Sequence, residues 1–126
     1  MLDHVSIGVK SVAEAKKFYD AALKPLGYEC LSSGDDYAGY GAGKTIQFWL
    51  GETEHPLKAD KRSGVHFCFK AESREAVDGF YKAALKAGGE DNGKPGIRAE
   101  YTPGYYAAFV VDPTGYRLEA FCRVKV

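Results

Sequence analysis

Two stretches of this chain superimpose on one another at a constant offset of 62 residues, without a gap. The first, HVSIGVKSVAEAKKFYDAALKPLG, starts at His4, and the second, HFCFKAESREAVDGFYKAALKAGG, starts at His66. His4 falls on His66, Phe18-Tyr19 on Phe80-Tyr81, Ala21-Ala22-Leu23-Lys24 on Ala83-Ala84-Leu85-Lys86, and Gly27 on Gly89. An internal repeat constrains the fold more than any single motif. Each copy must make the same supersecondary unit, and neighbouring copies must bury their apolar faces together. A chain of 126 residues holds one such pair in one domain, with a core that needs no covalent staples.

Each copy opens with period-two alternation, the mark of a strand with two unlike faces. Val5, Ile7 and Val9 alternate with His4, Ser6 and Gly8, and Val65, Phe67 and Phe69 with His66, Cys68 and Lys70. Both histidines therefore belong to the face opposite the apolar row. A helix follows in each copy. Ser11-Val12-Ala13-Glu14 has the spacing of a capping box, and Ser73 is the equivalent cap. Val12, Ala15, Phe18, Tyr19, Ala22 and Leu23 form one apolar stripe at helical spacing; Val77, Phe80, Tyr81, Ala84 and Leu85 form the other. Pro25 with Gly27, and Gly88 with Gly89, end these helices. Short strands come next: YECLSS, YAGYGA and KTIQFWLG in the first copy, IRAEY, YYAAFVVD and YRLEAFCRV in the second. GGEDNGKPG reads as extra loop length in the second copy. The expected fold is α+β, two β-α-β-β-β units that form a curved, partly closed mixed sheet. Unit one spans about 1–51, a polar linker about 52–62 and unit two about 63–126.

Charge narrows the partners. Seventeen Lys and Arg balance 17 Asp and Glu, so no basic field exists to collect phosphates, and nucleic acid is not expected as a partner. No apolar run is long enough to span a bilayer. A carboxylate stands in MLDHVSIGVK where an export signal carries positive charge, so the expected location is cytoplasmic. Three widely spaced cysteines, Cys30, Cys68 and Cys122, read as free thiols serving as small core residues.

The last strand of each copy carries one polar residue among apolar neighbours: Gln47 in TIQFWLG and Glu119 in YRLEAFC. With the two histidines they form two pairs of equivalent positions, which converge if the units face one another about a pseudo-two-fold axis. Two imidazoles, an amide and a carboxylate make a mixed nitrogen–oxygen set that suits Mn, Fe, Co, Ni or Zn as the divalent ion. The set has too few thiolates for structural zinc and too few oxygens for a calcium cage. Four protein ligands leave positions open for a chelating substrate. The plainer alternative is that the histidines bond to buried tyrosines while Glu119 pairs with Arg117 or Arg123. Glu119, or a water on the metal, is expected to handle the proton. Trp49, Tyr105 and Tyr106 are candidates to line the pocket, one of each alternating pair facing away, and Lys70 and Arg98 are candidates to hold an anionic substrate group. His55, in the charged linker, has no twin.

LDHVSIGV, AKKFYDAALKPLGY, GVHFCFKAES and YYAAFVVDPTGYRLEAF together resemble the vicinal oxygen chelate superfamily, which includes glyoxalase I, methylmalonyl-CoA epimerases, extradiol dioxygenases and fosfomycin- and bleomycin-resistance proteins. The resemblance covers nearly the whole chain. It implies paired β-α-β-β-β units around a metal, with His4, Gln47, His66 and Glu119 at the four ligand positions, and a homodimer. The His-Gln-His-Glu combination is similar to that of the epimerases, whereas bacterial glyoxalase I generally has an acidic residue where this chain has Gln47. The implied function is a metal-dependent lyase, isomerase or epimerase acting on a small molecule with chelating oxygens. The alternative is a metal-idle small-molecule binding protein of the bleomycin-resistance type.

Overall fold

The computed structural model describes residues 1–58 and 60–125. Strand β1 (Val5–Val9) leads into helix α1 (Val12–Leu23), followed by strands β2 (Glu29–Ser33), β3 (Tyr37–Ala42) and β4 (Thr45–Glu52). The second half repeats this order with β5 (Phe67–Lys70), α2 (Arg74–Lys86), β6 (Glu90–Ile97), β7 (Tyr105–Val111) and β8 (Arg117–Arg123). The strands make two four-stranded mixed sheets, in the orders β1-β4-β3-β2 and β5-β8-β7-β6. In each, the first strand of the unit lies parallel to the last, and the other neighbours are antiparallel.

Each helix starts where its serine supplies an oxygen to an orphan amide: Ser11 accepts from the Glu14 N–H and Ser73 from the Ala76 N–H, both at 3.1 Å. The reciprocal half of the expected capping box is not made. The Glu14 carboxylate turns instead to Lys17 Nζ at 3.2 Å, one turn along an exposed face. The α1 stripe is buried in full, and Val77, Phe80 and Ala84 bury the α2 stripe. Burying a Phe, Tyr or Leu of this kind contributes about 1.5–3 kcal/mol, which gives the two units one shared core.

One strand departs from the expectation. The Gly/Pro-rich segment read as loop is β6, paired with β7, while Arg98–Tyr101 lies outside any strand. Its register slips twice, between Asp91 and Gly93 and between Gly93 and Gly96. An edge strand tolerates this composition, because Pro95 has no N–H to donate and only a sheet interior needs ladder donors on both sides of a strand. The repeat offset carries β2 onto this segment, so pairing with β7 overrides local composition.

The two halves are pinned by polar contacts. Asp112, 4% exposed, accepts at Oδ1 from the N–H groups of Thr114, Gly115 and Tyr116 at 3.0, 2.8 and 2.8 Å, which closes the β7–β8 turn. Its Oδ2 accepts from the Tyr19 hydroxyl, on α1 of the other half. Tyr116 donates to the Gly8 carbonyl at 2.7 Å, and Tyr28 to the Lys70 carbonyl at 2.6 Å. Phe48 of β4 meets Phe67 and Phe69 of β5 edge-on, with centroids 6.0 and 5.2 Å apart.

Asp112→Ala leaves three backbone donors and a buried phenol without their acceptor, so it should lower stability by about 2–4 kcal/mol, and Tyr19→Phe by about 1 kcal/mol, in urea unfolding. Burial pushes the Asp112 carboxyl above the usual carboxylate range against the pull of its four donors. The folded state thus holds this proton more tightly than the unfolded one, so this group's contribution falls as pH rises from the unfolded value through the folded one. Asp112→Asn, which keeps the Oδ1 acceptor, should remove that slope from unfolding measured between pH 3 and 6.

Candidate functional site

The sheet faces turned away from the helices carry the polar residues. On the second sheet, Phe109 faces Glu119 across the β7–β8 ladder and Glu119 faces Cys68 across β8–β5. His66 stands one residue before β5. Its Nε2 lies 3.0 Å from Glu119 Oε1, and its Nδ1 lies 3.1 Å from the Gly64 carbonyl. Tyr105 donates its hydroxyl to Glu119 Oε2 at 2.5 Å, and its ring stacks on Phe121 at 4.7 Å. Glu119 is 2% exposed.

Both atoms that face the His66 ring are acceptors, the Gly64 carbonyl oxygen and Glu119 Oε1. A neutral ring carries one proton and can satisfy only one of them; the other nitrogen then presents a lone pair, which a second proton or a cation can occupy. His4 has an acceptor at one nitrogen only: Nδ1 lies 2.8 Å from Asp3 Oδ1 on an exposed surface, and Nε2 has no protein partner among the described residues.

The four candidate ligands divide. His66 and Glu119 are joined on the second sheet. His4 lines an open cleft of the first sheet with Ser6, Tyr37 and Trp49. Gln47 lines a different cleft, of about 560 Å³, together with His66, Lys70 and the rings of Phe48, Phe67 and Phe69. Among the described residues, no three of His, Cys, Asp and Glu gather into a metal-holding group. Gln47 also owes its setting to an irregularity invisible in the sequence. Tyr40 pairs with Phe48 but Gly41 pairs with Ile46, so Gln47 is the extra residue of a bulge, a device that re-aims side chains. Gly41 makes it possible: a Cβ there would lie 1.8 Å from the Thr45 carbonyl oxygen.

Of the lining candidates, Tyr105 holds Glu119, while Tyr106 is the partner that faces away. It donates to Asp78 of α2 at 2.6 Å, under the Arg74 guanidinium. Trp49 tilts against Tyr37 with centroids 6.4 Å apart. Arg98 lies over the Phe109 ring. Cys68 corrects the reading of all three thiols as core residues: Cys122 is buried, Cys30 is intermediate and Cys68 is exposed. It shares the face of Glu119 because alternation from His66 puts it there. Desolvation at the thiol and the Glu119 charge push it up to about 12, so it stays protonated at neutral pH. Burial first, then the bond to Glu119, likewise raises the Tyr105 phenol and keeps it a donor. Phe109 and Phe121 were not singled out from the sequence, although the same alternation from Glu119 and Tyr105 reaches them.

If the His66–Glu119 pair is a site and not a structural tie, Glu119 is not optimised for stability. Glu119→Gln keeps an acceptor for Tyr105, supplies N–H toward His66 and removes a buried charge; it should unfold no earlier in urea than the wild-type chain. His66→Ala strands the carboxylate and should cost about 1–2 kcal/mol. Equal losses in both variants would mark the pair as a structural bond.

The model of the Glyoxalase/Bleomycin resistance protein/Dioxygenase superfamily matches residues 1–120. A crystal structure of a glyoxalase/bleomycin resistance protein from Albidiferax ferrireducens T118 is similar at 28% identity, with 96% of this chain and 97% of that one covered and a TM-score of 0.81. A glyoxalase/bleomycin resistance protein/dioxygenase family enzyme from Burkholderia phytofirmans PsJN shares the fold at 16% identity, TM-score 0.72, with 97% and 98% of the two chains covered. A glyoxalase/bleomycin resistance protein/dioxygenase from Alicyclobacillus acidocaldarius does so at 18% identity, TM-score 0.69, with 99% and 92% covered. No curated protein matches the chain.

Proposed function

Because the chain belongs to the glyoxalase/bleomycin resistance protein/dioxygenase superfamily, whose members usually bind divalent metals and small molecules, we propose that it is a metal-dependent lyase, isomerase or epimerase acting on a small molecule with vicinal oxygens. The observation that carries this reading is the apposition of His66 Nε2 and Glu119 Oε1 at 3.0 Å, with the Gly64 carbonyl 3.1 Å from Nδ1. A borderline divalent ion fits a lone-pair cluster of imidazole nitrogen and carboxylate oxygen, whether Mn, Fe, Co, Ni or Zn. The Nδ1–carbonyl bond is the outer contact that orients a ligating imidazole, and the Tyr105 hydroxyl plays that part for the carboxylate.

Of the proposed set, His66 and Glu119 are joined, Gln47 shares a cleft with His66, and His4 lies in a separate one. No three of His, Cys, Asp and Glu gather within one chain among the described residues. The reading includes a homodimer in which the first unit of one copy faces the second unit of the other. Superfamily members are often dimeric, and both histidines present half-exposed rings to such a neighbour. A bound divalent ion supplies Lewis-acid polarisation of the substrate's oxygens. Glu119 Oε1 takes or returns the substrate proton, while Oε2 stays anchored by Tyr105. Trp49 and Lys70 line the clefts on either side, and the apolar rings around the cleft beside Lys70 exclude water.

Among the described residues no helix is long and apolar enough to cross a membrane. Nucleic acid is not proposed as a partner, given the balanced charge, and the cytoplasm is the proposed location.

The test is elemental analysis of the full chain after loading with Ni, Co, Zn or Mn, alongside size measurement in solution. About one metal per site is expected, lost in His66→Ala and in Glu119→Gln. Tyr105→Phe should keep the metal but weaken it roughly 10-fold. A chain that takes up none of these metals overturns the enzymatic reading. The aromatic cleft of about 560 Å³ then supports the alternative, a small-molecule binding protein, tested by titration with apolar aromatic ligands.

A further inference from the structure

The same face of the second sheet carries a cation that the metal reading does not use. Arg98 leaves the end of β6 and folds its guanidinium back along that strand. Nη1 donates to the Gly96 carbonyl at 3.0 Å and Nη2 to the Lys94 carbonyl at 2.7 Å. The guanidinium carbon lies 5.3 Å from the centroid of Phe109. The strand beneath has no side chains where the fork rests. A Cβ on Gly93 would stand 3.2 Å from Nη2 and 2.9 Å from the Phe109 ring, and one on Gly96 would stand 3.3 Å from Nη1. Gly93 also holds a φ of 148°, which side-chain-bearing residues rarely adopt. Two glycines and a phenyl ring thus form a slot for one planar cation.

The slot leaves the charge unspent. A guanidinium has five N–H donors, and two are used. Among the described residues, no carboxylate lies within ion-pair distance of Arg98. Its fork is oriented before any ligand arrives, which removes much of the ordering cost of recognition. Its place relative to the metal pair follows from the ladder. Gly93 faces Phe109 and Phe109 faces Glu119. Two strand spacings, about 10 Å, separate the Gly93 backbone beneath the guanidinium from the Glu119 backbone, with Phe109 between them. His66 flanks Phe109 on the other side, with centroids 6.3 Å apart. Arg117, whose Nε is buried without a partner, adds a second cation on β8.

We propose that Arg98 recognises an oxyanion, a carboxylate or a phosphate, on the small molecule bound at the His66–Glu119 end, with Phe109 as the apolar contact between the two ends. This rests on the reading of that face as substrate-bearing and narrows the substrate to an anionic one. A guanidinium that merely clips β6 would need the two carbonyl bonds but would show no preference for anions.

The experiment is a ¹H–¹⁵N NMR titration of the full chain with benzoate, with its neutral analogue benzamide, and with phenyl phosphate. Benzoate or phenyl phosphate should shift the Arg98 Nε–H and the Phe109 amide with millimolar affinity, whereas benzamide should not; which anion binds better separates carboxylate from phosphate. Arg98→Lys keeps the charge but not the fork, and should weaken the preferred anion roughly 10-fold while the chain stays folded. No shift at Arg98, an equal response to benzamide, or unchanged affinity in Arg98→Lys overturns the proposal. If that variant unfolds, the wild-type contrast between benzoate and benzamide still decides. Metal content is read on the same samples. An Arg98-dependent anion signal in protein that takes up no metal on loading keeps this proposal and removes the metal reading, while metal uptake without an anion signal does the reverse.

Discussion

The Asp112 carboxylate is the contact on which the rest of the structure depends. One oxygen gathers three consecutive amides into the β7–β8 turn, and the other takes the hydroxyl of Tyr19 from the opposite half. The turn sets where β8 begins, and β8 carries Glu119. The bond to Tyr19 sets how α1 of the first unit meets the second. Burying a carboxylate is tolerated here because every lone pair that matters has a donor. Tyr116, at the end of the same turn, reaches the Gly8 carbonyl, so turn, helix and first strand are tied through four residues.

Glu119 is the instructive contrast. Asp112 and Glu119 are the two buried carboxylates among the described residues, and they are satisfied in opposite ways. Asp112 meets only donors. Glu119 meets one donor, the Tyr105 phenol, and an imidazole that has a second acceptor, the Gly64 carbonyl, at its other nitrogen. A neutral ring cannot donate to both oxygens at once, so this cluster is satisfied only when a second proton or a cation joins it.

Much of this could be read before any coordinates. The 62-residue offset placed both helices, their serine caps and their buried stripes, and it paired His4 with His66. Alternation put Tyr105 and Tyr106 on opposite faces, and the structure shows which one meets Glu119. Other features stayed hidden for physical reasons. β6 looks like a loop because glycine, proline and asparagine dominate it; only the unpaired edge of β7 makes it a strand. The bulge at Gln47 depends on Gly41 lying against the Thr45 carbonyl, a contact across the hairpin that periodicity cannot report. Glu14 has the spacing to reach back to its cap, but Lys17 competes for it on the solvent side.

The sequence alone determined the doubled β-α-β-β-β unit, its capped helices and the polar residue types at equivalent positions, because these follow from spacing within short segments. Tertiary structure alone decided which polar residues meet. It joined His66 to Glu119 and Tyr105, sent Tyr106 to Asp78, held His4 on a separate face and laid the Arg98 guanidinium over two glycines. Those outcomes depend on register shifts, a bulge and the packing of one half on the other, which arise only when distant segments compete for the same hydrogen bonds and the same space.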